Sequence, residues 1–244
     1  MLSVVRVVIG VLGLAKTAML TTIGVCYSIN GLTAVPVALV VLLGTLMVAS
    51  LGLFTVGRSV RLAATLASVG FLVFILPVGI YNHHTYLLAV IFAIFSLGTH
   101  TALLLKLQLT LVYFFAAITK LNESFLSGSE LYVSVVVRPF WQATVGADPG
   151  PWILITLAAA AIVVELFLAF GFWFKQARWA ALIVGVGFHM LLLVTMTNSL
   201  RLGLDLMIFG GVFCALYILF FEREVDELLS RRRRRALDTD RMPA

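Results

Sequence analysis

Eight apolar runs take up most of this chain, at about 4–27, 33–56, 62–81, 85–104, 107–121, 152–174, 179–197 and 203–221. A membrane-crossing helix needs roughly 17–25 such residues, because it rises about 1.5 Å per residue and must cover a hydrocarbon core about 30 Å thick. The runs therefore predict an all-α polytopic transmembrane helical bundle of about eight spans over residues 1–222. A basic tail, 223–244, follows and is expected to be disordered on the cytoplasmic side.

Composition excludes the soluble alternative. Only 11% of the residues are charged, 62% are hydrophobic and the mean hydropathy is +1.11. A soluble domain carries about 25% charged residues because its surface faces water. The first run is not expected to be a cleaved signal: it is too long, contains Lys16 and lacks a small-residue cleavage site. Cys26 and Cys214 lie inside apolar runs without metal-ligand spacing, so buried thiols are expected and no metal site. The fifth run, 107–121, is the one hydropathy supports least, being short and carrying Gln108, Thr119 and Lys120. Residues 122–150 form the one long connection before the tail. Its apolar middle is suited to the interface, and Pro139 and the Pro-Gly-Pro at 149–151 break helix.

Orientation follows from the basic residues. With eight spans both termini share a side, which receives Arg6, Arg58, Arg61, Lys106, Lys175, Arg178, Arg223, the five arginines at 231–235 and Arg241. The opposite side receives Arg138 and Arg201. Thirteen of the 17 basic residues against two places both termini in the cytoplasm, in a plasma membrane. The net charge of +6 is then a matter of anionic lipid headgroups rather than of nucleic acid.

Charged side chains inside spans cost about 2.5–3.5 kcal/mol each on insertion scales, so each needs a reason. For Lys16 the reading is an ion pair that packs helices. For Arg201 and Asp205, four apart at a span start, it is a local pair. Lys120 lies near the outward face, within reach of His83 and His84. Two readings stay open for it: a lysine snorkelling to the headgroups, or an amine kept neutral by burial and able to act as a general base.

The stretch holding Gln108, Tyr113, Ala116, Lys120, Leu121, Phe125 and Gly128 resembles the signature of the HTTM family, to which vitamin K-dependent γ-glutamyl carboxylase belongs. Asn82, His83, His84, Thr85, Tyr86 and Leu87 are similar to a second family motif. Glu165, Arg178 and the Phe188-His189 pair match a third in the same order. The resemblance implies an extracytoplasmic site for a reduced quinone, vitamin K or menaquinol. On it, Lys120 would be the base that deprotonates the quinol and His84 would lie at the quinone's reactive edge. His83, Tyr113 and Gln108 would contact the cofactor, while Glu165, Arg178 and His189 would be supporting polar groups that hold the bundle. The sequence departs from the carboxylase pattern at Thr119, where a paired lysine stands, and at His83, where an asparagine stands. The luminal substrate-binding domain has no counterpart here, so a protein partner is expected to supply it. An enzyme of carboxylase or oxygenase type and a non-enzymatic membrane module that assists a partner's maturation or export both fit. No inverted repeat or pair of broken helices marks a transporter.

Overall fold

The computed structural model describes residues 1–78, 83–136, 138–146, 148–197, 199–222 and 224. Asn82, Arg223 and the tail from 225 onward, including the arginines at 231–235, lie outside the described residues. Among the described residues the chain is helical throughout. Its elements are α1 (Leu2–Ile29), α2 (Val37–Val56), α3 (Val60–Val78), α4 (His83–Leu97), α5 (Thr101–Thr119), α6 (Glu123–Leu126), α7 (Ser129–Val136), α8 (Pro139–Val145), α9 (Pro151–Gly171), α10 (Arg178–Met196) and α11 (Leu200–Tyr217). A short 3-10 turn, Ile218–Phe221, continues α11. Six of these helices, α1, α2, α5, α9, α10 and α11 with its turn, are long and apolar enough to cross a membrane. Two shorter apolar helices, Val60–Ile75 and His83–Leu97, fall on the third and fourth expected runs.

The weak point of the sequence reading lies elsewhere than expected. The fifth run forms a full helix of 19 residues, and the fourth is the short one, with 15. The boundary between them is a backbone effect: Gly98 and His100 both adopt positive φ, +73° and +53°, which no α-helix tolerates. Hydropathy runs straight through this break and assigns residues 101–104 to the wrong span.

Helix association follows the rule for lipid, where no hydrophobic force draws helices together and close backbone approach has to substitute. α1 and α2 pair antiparallel along four glycines. A Cβ at Gly10 would meet Thr55, at Gly13 Leu51, at Gly44 Thr21 and at Gly24 Val40, in each case within 3.1 Å. The opposite face of α2 shows Leu39, Leu42 and Leu46 about half exposed, as lipid contact requires. The core beside this pair is aromatic. Phe54 meets Phe92 and Phe95 edge-on at 5.0 Å, and Phe71 stacks on Phe92 at 5.7 Å. Across it, Ser68 Oγ donates to the Ala89 carbonyl at 2.8 Å and joins α3 to α4.

The connection 122–150 folds as three short helices, of which α6 and α7 lie against α9 and α8 lies against α10. Asn122 caps α6 by accepting from the Phe125 amide, and Pro139 and Pro151 open α8 and α9, where their missing N–H is not needed. Gly128 turns the chain between α6 and α7 with φ +81°, and a Cβ there would lie 2.4 Å from that of Leu154. α6 and α7 are thereby pressed onto α9, over the end of α5.

Candidate functional site

Three buried polar groups cross the bundle. The first joins α5 to α9. These helices run antiparallel, with Trp173 Nε1 donating to Thr110 Oγ1 at 2.8 Å and Phe114 edge-on to Phe170 at 6.0 Å. The same register brings Lys120, at the C-cap of α5, to Glu165. Lys120 Nζ donates to both carboxylate oxygens at 2.8 Å and to the Ala116 carbonyl at 3.1 Å, which engages all three of its N–H groups. The Phe125 ring lies 5.7 Å from the ammonium. Glu165 stands fourteen residues into α9, about 21 Å from its start. The Lys120 side chain is 27% exposed, against 7% for Glu165. The Lys120 side chain is thus partly open while its carboxylate partner is buried.

The second group lies two turns earlier on α5. Tyr113, nearly fully buried, has its hydroxyl 2.8 Å from His189 Nε2 and also hydrogen-bonded to the Tyr217 hydroxyl. Tyr217 stacks on Phe172 at 4.6 Å and fits against α10 because residue 185 is glycine; a Cβ there would lie 2.8 Å from its hydroxyl.

The third group joins helices distant in sequence. Lys16 of α1 donates to Asp205 Oδ1 of α11, and His84 Nδ1 of α4 lies 3.2 Å from Asp205 Oδ2. Lys16 is fully buried, so the expected helix-packing ion pair is present. The expected local pairing of Arg201 with Asp205 is at most part of the account, because Asp205 turns into the bundle. His84 stacks on Phe209 at 4.1 Å and 24°. His189 meets the same ring edge-on at 5.5 Å.

One face of α11 organises two of these groups. Asp205, Phe209, Phe213 and Tyr217 recur every four residues, and the i, i+4 spacing stacks them in a single stripe. Asp205 holds Lys16 and His84, and Phe209 separates His84 from His189. Phe213 packs on Tyr113 at 5.1 Å and on His189 at 4.7 Å, and Tyr217 closes the set.

The residues singled out from the sequence are therefore distributed. Lys120, His84 and Tyr113 stand in three separate groups rather than around one point, each bonded to its own partners. Glu165 joins Lys120 and His189 joins Tyr113. Arg178 is in neither group: it donates to Glu224 Oε1 at 2.7 Å and to the Phe172 carbonyl at 3.2 Å, at the far end of α10. Gln108 is half-buried five residues before Tyr113, and His83 is exposed as the first residue of α4. Sequence reasoning missed Tyr217 and the reach of Asp205, although the four-residue repeat on α11 would have pointed to both.

Comparison with known proteins agrees with this architecture. Residues 96–224, which take in α5 to α11, match the HTTM domain. No curated protein and no solved structure matches the chain.

Proposed function

The chain belongs to the HTTM domain family, and from that premise we propose that it is a multi-pass plasma-membrane protein with a site for base chemistry on a reduced quinone, centred on Lys120. The observation that carries this reading is the contrast between the two intramembrane lysines. Lys16 is sealed, whereas the Lys120 side chain is partly exposed beside the Phe125 ring. Both termini are taken as cytoplasmic, which the distribution of Lys and Arg supports.

The residues present fit such a ligand: a reachable amine, a carboxylate bonded to it, and the Phe125 ring beside them. When bound, a vitamin K or menaquinol ring would supply a weakly acidic hydroxyl and the electrons of its reduced form. Glu165 holds Lys120 in place and is the group positioned to take a proton from Nζ. The freed amine is then a general base for a hydroxyl that reaches it. Tyr113 stands two turns earlier on the same side of α5.

The test is quinol oxidation by the purified protein in nanodiscs under air, with dioxygen as the acceptor of the two electrons that the deprotonated quinol gives up. Lys120→Ala is expected to lower it by about 10²–10⁴-fold, the usual worth of a general base, and to lower the melting temperature too because it strands the buried Glu165 carboxylate. A Lys120→Met, Glu165→Leu double variant, which removes both charges, is expected to stay folded and to be equally inactive. Undiminished turnover in either variant would sink the reading.

A second reading has one observation behind it: all three N–H groups of Lys120 are engaged, as in a static clamp. The chain would then be a non-enzymatic module for a partner protein that carries the substrate-binding part. A stoichiometric partner that stays bound to a Lys120→Met, Glu165→Leu double variant would favour it.

A further inference from the structure

His84 owes its setting to residues far from it in the chain. Lys16, Asp205 and His84 come from α1, α11 and α4, and the two carboxylate oxygens of Asp205 have separate duties. Oδ1 takes the Lys16 ammonium and Oδ2 faces His84 Nδ1 at 3.2 Å. A plain helix-packing ion pair has no need of the second contact. Phe209 fixes the plane of the imidazole by stacking on it at 4.1 Å. Direction and plane of the ring are therefore both set, by neighbours on a single face of α11.

We propose that Asp205 is a positioning residue for His84. Its Oδ2 lies at ion-pair distance from Nδ1, without the alignment of a hydrogen bond, and a carboxylate there favours the proton on Nδ1, so that Nε2 is the accepting nitrogen. Lys16 supplies the counter-charge at Oδ1. Such second partners fix both the tautomer and the orientation of working histidines. The other charged or titratable groups around the centre are Arg201, which acts on Lys16, and His189, across Phe209. The inference rests on the proposed function only for what Nε2 would face.

The experiment is nitrogen-15 NMR of the full-length protein, labelled at histidine, in nanodiscs without quinone, with the His84 signal assigned by its loss in His84→Gln. The wild-type protein is expected to show His84 as the Nδ1–H tautomer alone. An Asp205→Leu, Lys16→Met double variant removes both buried charges while keeping their volume, and is expected to lose that tautomer in favour of Nε2–H. A wild-type His84 in the Nε2–H form overturns the proposal without any variant. An unchanged His84 signal in a folded double variant overturns it as well. Failure of quinol oxidation beside an Nδ1–H His84 that depends on Asp205 would count against the proposed function and leave this inference standing.

Discussion

Lys120 and Glu165, forty-five residues apart, meet in a two-oxygen ion pair at 2.8 Å, with the carboxylate buried and the ammonium partly open. The pair between Lys16 and Asp205 is chemically the same and physically different, since its lysine has no access to solvent.

That difference predicts unequal costs. Asp205→Leu strands a fully buried ammonium and is expected to destabilise by about 3–5 kcal/mol. Glu165→Leu is expected to cost less, about 1–3 kcal/mol, because the Lys120 side chain is already partly exposed. Thermal unfolding of the two variants in one detergent checks the order. Equal losses, or a larger one for Glu165→Leu, would show that Lys120 is as enclosed as Lys16.

Gly185→Leu is expected to push the Tyr217 ring off α10 and break its bond to Tyr113. Overpacking of this kind costs about 1–3 kcal/mol. If Tyr113, Tyr217 and His189 act together, Tyr217→Phe in the Gly185→Leu background should add little further loss. Additive losses in a double-mutant cycle would mean that the glycine and the hydroxyl act independently.

Gly44→Leu is expected to separate α1 from α2, since even a Cβ there would lie 2.4 Å from the Thr21 hydroxyl oxygen. Expression of folded protein should fall sharply. Substitution of Gly52, which has open space around it, should have little effect. Comparable behaviour of the two variants would argue against the glycine-lined contact.

The topology makes a separate prediction. With Cys26 and Cys214 replaced by alanine, a membrane-impermeant maleimide added to intact cells should label Ser127→Cys, and should not label Arg58→Cys until the cells are opened. The reverse pattern would place the termini outside.

Much of this fold can be read from the sequence, because each apolar run reports its own solvent. Span boundaries are less legible where the backbone decides them, as at Gly98 and His100, since hydropathy averages over a break of three residues. Individual site residues stood out because Lys16, Lys120, Glu165, His189 and Asp205 are costly in lipid. Their partners did not, because partner choice depends on helix register and facing. Nothing local to His84 points to Asp205, and nothing local to Lys120 selects Glu165 over Asp205. The stripe on α11 is the exception: its period was in plain view, and it gathers two of the three groups.

The contact between Lys16 and Asp205 also bears on biosynthesis. The two residues are 189 positions apart, so at about 5–20 residues per second the ribosome delivers Asp205 roughly 10–40 s after Lys16. For that interval the first helix carries an uncompensated ammonium, at an insertion cost of about 2.5–3.5 kcal/mol. Arrival of the last helix removes that cost. Until then a stalled or truncated chain bears an exposed charge in lipid, a mark by which membrane quality control could tell an unfinished bundle from a finished one.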